Sequence, residues 1–215
     1  MLYRHSEATV ALLRRAPVIP VLTIKDVEDA LAQARALIAG GLTVLEITLR
    51  TAAATKAVAA LAKTFPNALI GAGTIVEPNQ IEAAANAGAG FLVSPGMTPR
   101  LLEAAARSPV PFLPGAATAS EALALRERGF RALKFFPAEP AGGARYLASL
   151  AGPLPDLIFC PTGGIDAQKA GNYLALPNVA CVGGSWMVAP ELLAACDFTK
   201  VEQLAREASA LGRRF

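Results

Sequence analysis

The sequence predicts an α/β protein in which eight strand–helix units close into a (β/α)8 barrel, with a short extra helix in front. Three observations carry this expectation. Short apolar runs alternate with alanine-rich helical patterns along all 215 residues, which implies parallel strands joined by right-handed crossovers. Eight such units in a chain of this length suit the small end of the barrel class. The first strand–helix turn, "VIPVLTIKD" (18–26), carries no glycine, whereas an open doubly wound sheet ordinarily places its glycine fingerprint there.

Each element has a local reason. The run "VIPVLTI" (18–24) reads as the first strand. The helix in "KDVEDALAQARALIAGG" has Asp26 as its cap and Val27, Ala30, Leu31, Ala34, Leu37 and Ile38 recurring on one face. Gly40 and Gly41 stop it, because glycine enters the left-handed conformation at little cost. "TVLEITLR" (43–50) is the second strand. Further strands are expected at 68–75, 90–95, 110–117, 131–138, 156–164 and 179–186. Helical patterns fall near 52–65, 79–88, 99–107, 119–129, 142–151, 166–176 and 199–211, with the extra helix at 5–15. No charge block or Ser/Gly linker interrupts the pattern, so residues 1–215 are expected to form one barrel domain.

Composition narrows the function classes. A hydrophobic fraction of 53% with 17% charged residues marks a compact chain rather than a disordered one. The net charge of +3 is spread out, with small basic clusters only at Arg14–Arg15 and Arg213–Arg214; a nucleic-acid binder would gather such residues on one face. Cys160, Cys181 and Cys196 are odd in number and form no CxxC pair, as expected of reduced thiols in the cytoplasm. The N-terminal stretch is too short and too charged for a signal peptide, and no run approaches the roughly 20 apolar residues of a membrane span.

The strand faces point to chemistry. In "VLEITLR", Leu45, Ile47 and Leu49 share one face and Glu46, Thr48 and Arg50 the other. If the first face packs on the helices, the second points into the barrel, and three polar residues are too many for a dry interior. In "RALKFFPAEP" the same alternation turns Lys134 and Phe136 inward, Lys134 toward Glu46 and Arg50. Of the six lysines only Lys134 lies within a predicted strand. Burial or a neighbouring cation presses a lysine toward its neutral amine, a nucleophile able to form a Schiff base with a ketone; a structural lysine paired with Glu46 is the other reading. Apart from Asp156 at the very start of its run, Glu46 is the one acidic residue within a predicted strand, hence a candidate general acid/base or a salt-bridge partner. Arg50 can clamp a carboxylate in bidentate fashion or sit on a loop.

The strand ends add binding groups. "CPTGGID" (160–166) and "VGGSW" (182–186) close the seventh and eighth strands, where barrels of this class frequently bind phosphate on backbone N–H groups. Gly163, Gly164, Gly183, Gly184 and Ser185 would line such a site. Thr74 in "GAGTI" is placed to donate to a substrate carboxylate, and Thr162 to bind a substrate hydroxyl. Pro95 in "LVSPG" sits at the mouth or merely ends its strand. Cys160 lies near the rim, but the sole histidine, His5, is far away, which disfavours a Cys/His nucleophile and a histidine-built metal site.

Taken in order, "PVIPVLTI", "GGLTVLEITLRT", "IGAGTI", "FLVSPG", "PGAATASE", "ALKFFPAE", "CPTGGI" and "VGGSWM" resemble the motifs of the KDPG/KHG class I aldolases, over residues 16–190. KDPG is 2-keto-3-deoxy-6-phosphogluconate and KHG is 4-hydroxy-2-oxoglutarate. The resemblance implies a homotrimeric (β/α)8 aldolase of the Entner–Doudoroff pathway, without metal or other cofactor. It further implies Lys134 as the Schiff-base lysine, Glu46 as general acid/base and Arg50 and Thr74 at the carboxylate. Thr162 corresponds to the family's second threonine, Phe136 packs against the Schiff base, and Gly163, Gly164, Gly184 and Ser185 hold phosphate. Three rivals stand beside it: the same chemistry on 4-hydroxy-2-oxoglutarate or the galactonate-derived epimer of KDPG, a phosphate-binding barrel isomerase or epimerase that would need no inward lysine, and a non-catalytic sugar-phosphate sensor.

Overall fold

The computed structural model describes residues 3–212; the Arg213–Arg214 pair lies outside them. Strands and helices alternate. Helix α1 (Ser6–Leu13) precedes β1 (Val18–Leu22), α2 (Val27–Ala39), β2 (Val44–Thr48), α3 (Ala54–Thr64), β3 (Leu69–Gly73), α4 (Pro78–Asn86), β4 (Phe91–Val93) and α5 (Pro99–Arg107). Then come β5 (Phe112–Leu113), β6 (Gly115–Ala116), α6 (Ala119–Glu127), β7 (Ala132–Phe135), α7 (Gly143–Ser149), β8 (Ile158–Pro161), α8 (Ala167–Leu174) and β9 (Val182–Gly184). A 3-10 turn (Trp186–Val188), α9 (Pro190–Ala194) and α10 (Phe198–Ser209) complete the described chain.

The strands form a closed (β/α)8 barrel. One parallel sheet runs β5-β4-β3-β2-β1-β9 and the other β6-β7-β8. The bridges Phe159–Val179 and Thr162–Gly183 join β8 to the β9 segment. The expected fifth strand is split at Pro114, which has no N–H for the ladder; its carbonyl still accepts from Lys134 N–H at 2.8 Å. Thus β5 and β6 together make one stave. The short α9 and the turn before it were not expected, because a stretch of only a few residues carries no readable helical period.

Two cores lie on opposite sides of the sheet. Leu45 and Ile47 of β2 and Leu133 and Phe135 of β7 pack outward in the core that includes Ala30, Ala34 and Leu37 of α2. Inside the barrel, Ile19, Val44, Phe91, Val93, Leu113, Ala132, Cys160 and Cys181 form a separate apolar plug, joined by Leu12 and Leu13 of α1. The alternation read from "VLEITLR" therefore holds as far as Thr48, where β2 ends, and α1 serves as the floor of the barrel. Cys160 belongs to this buried plug rather than to the rim, because β8 runs one residue beyond it.

The helix entries are capped as their sequences dictate. The Asp26 side chain accepts from Asp29 N–H at 2.8 Å. Thr118 and Glu121 form a capping box at α6, and the Ala117 N–H, with further hydrogen bonds from Thr118, holds the Glu121 carboxyl below the ordinary range. These caps satisfy donors that have no partner inside the helix.

Tyr3 fastens the floor to the wall. Its ring stacks on Phe130 with centroids 4.1 Å apart. Its hydroxyl accepts from Phe112 N–H and lies 3.2 Å from Thr9 Oγ1; burial pushes the phenol up, so it stays a neutral hydroxyl. Tyr3→Phe keeps the ring but strands a buried N–H, which costs about 1–3 kcal/mol. Urea unfolding of the variant is expected to show that loss with an unchanged m-value.

Candidate active site

The one ion pair buried on both sides among the described residues spans the barrel. Lys134 Nζ, from β7, donates to Glu46 Oε1, from β2, at 3.1 Å, and each side chain is 5% exposed. The other described ion pairs sit on the surface, with side chains at least 31% exposed. Removing two charges from water costs more than such a pair ordinarily returns, so packing alone gives no reason for it. Nζ also stands 5.4 Å from the centroid of the half-buried Phe136 ring, within reach of a cation–π contact.

Glycine on β3 makes room for the pair. A Cβ placed on Gly73 would fall 2.1 Å from Glu46 Oε1 and 2.6 Å from its Cδ. The carboxylate thus occupies the space that a β3 side chain would fill. One layer down, a Cβ on Gly71 would fall 2.3 Å from the Phe91 ring. The signal for this was present in "GAG" (71–73): two glycines at the same strand parity, in an interior that elsewhere carries bulkier groups.

The mouth residues assemble above. Arg50 Nε donates to Thr74 Oγ1 at 3.0 Å, bringing the ends of β2 and β3 together. Thr74 has φ 58°, which is strained for a β-branched residue. Arg50 departs from the expected placement: β2 ends at Thr48, and Arg50 is exposed on the loop beyond it. Its hydrogen bond goes to Thr74, and it does not share the buried layer of Lys134. Pro95 is half-buried beyond β4, and a Cβ on Gly115 would fall 2.2 Å from its carbonyl oxygen. Thr162 is buried, with Oγ1 donating to the Cys160 carbonyl at 3.4 Å. The space for its side chain comes from Gly183, whose Cβ would fall 2.3 Å from that oxygen.

The two glycine-rich loops lie side by side, joined by the Thr162–Gly183 bridge. Gly163 and Gly164 take φ 107° and 78°, conformations that favour glycine. Gly184 is buried and must lack a side chain, since a Cβ would fall 1.9 Å from the Trp186 ring; Ser185 is exposed. Sequence reasoning missed Gly73, which shapes the pair, and a cluster behind the first loop. There Tyr173 donates to Glu139, and Lys169 Nζ sits 3.4 Å from both Glu139 Oε2 and Asp166 Oδ2. Lys169 and Tyr173 share α8, one turn apart, with Asp166 as its cap; Glu139 comes from the segment after β7, and no spacing in the sequence brings it to them. Elsewhere, a groove of about 230 Å³ beside α5 and α6 includes Met97, Leu102, Leu125 and Arg128.

An amine and a carboxylate buried together across a (β/α)8 barrel, beneath glycine-rich strand ends, are the equipment of a barrel enzyme. Comparison with known proteins makes the class definite: the KDPG and KHG aldolase family model matches residues 10–204, and the chain belongs to that family. It is 49% identical over 197 residues to the 2-dehydro-3-deoxy-phosphogluconate aldolase of Pseudomonas aeruginosa, covering 92% of this chain and 90% of that one. It is 46% identical over 198 residues to the KHG/KDPG aldolase of Escherichia coli K12, with 92% and 93% covered. Among solved structures, it superposes with a TM-score of 0.91 and 47% identity on a KDPG aldolase from Legionella pneumophila, over 94% of this chain and 98% of that one. In that crystal structure pyruvate was captured at low pH as a covalent carbinolamine intermediate.

The crowding at Gly73 yields a structural prediction. Gly73→Ala is expected to fold, because the atom it meets is the end of a flexible side chain, at a cost of about 1–3 kcal/mol for overpacking. A crystal structure of the variant is expected to show the Glu46 carboxylate driven off Lys134; an unchanged 3.1 Å contact would contradict this account of the pair.

Proposed function

We propose that this chain is a class I aldolase that cleaves KDPG to pyruvate and D-glyceraldehyde 3-phosphate, with Lys134 as the Schiff-base amine and Glu46 as the general acid/base. The observation that carries this reading is the buried 3.1 Å contact between them. A sensor of sugar phosphates, or an isomerase using only the phosphate loops, has no use for that pair. The same hydrogen bond is a path by which a proton leaves the amine, and it holds the carboxyl within transfer distance of a substrate bonded to Nζ.

The Lys134 amine adds to the C2 ketone, giving a carbinolamine that loses water to become an iminium ion. Glu46 takes the proton of the C4 hydroxyl, the C3–C4 bond breaks, and its electron pair flows into the iminium to give an enamine. D-Glyceraldehyde 3-phosphate departs. Glu46 returns its proton to C3, and water hydrolyses the resulting iminium to free pyruvate and Lys134. The iminium is the electron sink of this scheme, so it calls for neither metal nor other cofactor.

Binding follows the same geometry. Arg50 and Thr74, already joined at 3.0 Å, are assigned the pyruvate carboxylate. Phe136 covers the Schiff base from the position it holds over Nζ, Pro95 borders the mouth, and Thr162 is assigned a substrate hydroxyl. Gly163, Gly164, Gly184 and Ser185 receive the phosphate. The pyruvyl half is common to KDPG and 4-hydroxy-2-oxoglutarate, so a side activity on the latter belongs to this reading. We extend it to a single barrel domain over residues 1–215 that works as a cytoplasmic homotrimer, on family resemblance. No helix among the described residues is long and apolar enough to cross a membrane, and the reading includes no nucleic-acid partner.

Sodium borohydride trapping with pyruvate, read by peptide mass spectrometry, tests the assignment. A reduced pyruvyl adduct is expected on Lys134 and absent from Lys134→Ala. Glu46→Gln is expected to retain trapping while kcat for KDPG falls about 100- to 10,000-fold, the usual weight of a general acid/base. No adduct on folded wild-type protein would overturn the Schiff-base reading and favour an isomerase.

A further inference from the structure

Three consecutive carbonyls of the first glycine loop are held from one side. The Thr162 carbonyl accepts from Ala138 N–H at 2.8 Å and the Gly163 carbonyl from Glu139 N–H at 3.0 Å. The Gly164 carbonyl accepts from Lys169 Nζ at 3.0 Å. These donors stand together: Ala138 and Glu139 are neighbours, and Lys169 Nζ lies 3.4 Å from Glu139 Oε2. The peptides of this loop are trans, and in a trans peptide C=O and the following N–H point in opposite directions. The N–H groups of Gly163, Gly164 and Ile165 are therefore turned away from Glu139 and Lys169. Successive N–H groups presented in this way form a concavity for an anion.

Two of the three tethers come from backbone and are independent of side-chain identity. The third comes from a side chain. Lys169 is itself held, by Glu139 and by Asp166 at 3.4 Å, and Glu139 is held in turn by the buried Tyr173 hydroxyl. Burial, with Glu139 adding, pushes the Tyr173 phenol up, so it remains a donor. A Cβ on Gly164 would fall 2.8 Å from Glu139 Cβ, which shows how closely the loop is seated on this cluster. A lysine paired with its own helix cap at i,i+3 is ordinarily worth little; here the same ammonium also fixes a loop peptide.

We propose that Lys169 is a positioning residue for the phosphate end of the substrate: by holding the Gly164 carbonyl it aims the Ile165 N–H at the anion, and so selects phosphorylated over unphosphorylated substrates. This rests on the KDPG reading above. It differs from direct attraction between Lys169 and phosphate, in which the ammonium would act best when freed from its carboxylates.

The test compares KDPG with 2-keto-3-deoxygluconate, the same molecule without phosphate. In Lys169→Met, KM for KDPG is expected to rise about tenfold, the weight of one charge-assisted hydrogen bond, with kcat nearly unchanged. The kcat/KM for 2-keto-3-deoxygluconate and borohydride trapping of pyruvate are expected to stay at wild-type levels, and Lys169→Arg is expected to restore much of the loss. Glu139→Gln loosens the ammonium without removing it, and is expected to raise KM for KDPG as well. An unchanged or lower KM in Glu139→Gln would replace positioning with direct attraction. An equal loss on both substrates, or none on KDPG, would reduce Lys169 to a surface contact. Wild-type protein that traps no pyruvate would instead sink the aldolase reading, and this inference with it.

Discussion

The contact between Lys134 and Glu46 organises the molecule around it. Two charged groups, each 5% exposed and 3.1 Å apart, are a poor way to stabilise a fold, because their desolvation offsets their attraction. Keeping them requires rigid walls, space cut for the carboxylate, and an apolar layer that bars other arrangements. The barrel supplies all three. Ladder hydrogen bonds fix β2 and β7, glycine at 73 leaves room for the carboxylate, and the plug of Ile19, Phe91, Leu113 and Cys181 fills the interior below.

That plug explains why a small barrel needs its leading helix. A (β/α)8 interior is open at both ends unless side chains fill it. Here the polar end is left for chemistry, so the other end must be closed by apolar groups, and Leu12 and Leu13 of α1 supply them. Tyr3 ties that floor to β5 through Phe112 and to the segment before β7 through Phe130. The functional end and the stabilising end are thus separated along the barrel axis, as is usual for this architecture.

Unusual backbone conformations also occur at the candidate-site end. Thr74, Gly163 and Gly164 all hold positive φ, and all lie just beyond strands that line the candidate site. For a β-branched residue such as Thr74 this conformation persists only where the surroundings over-determine it. Thr74 is held by Arg50, and the Gly163–Gly164 loop by its three carbonyl tethers.

How much was legible follows from the range of each interaction. Strand parity turned Glu46, Thr48 and Lys134 inward, because alternation is a property of a few consecutive residues. The Asp26 cap and the glycine-rich strand ends were equally local. The motif resemblance supplied the family and its site assignments. The sequence by itself determined the order of the main elements, the two faces of each strand, and that Glu46, Thr48 and Lys134 lie inside. Only the tertiary structure decided that Arg50 leaves the barrel for Thr74, that Cys160 is buried in the plug, that Gly73 yields its place to Glu46, and that Glu139, Lys169 and Tyr173 meet behind the Gly163–Gly164 loop. Each of these depends on how neighbouring staves are staggered and how closely they approach, and that is set by closure of the whole barrel rather than by any one segment.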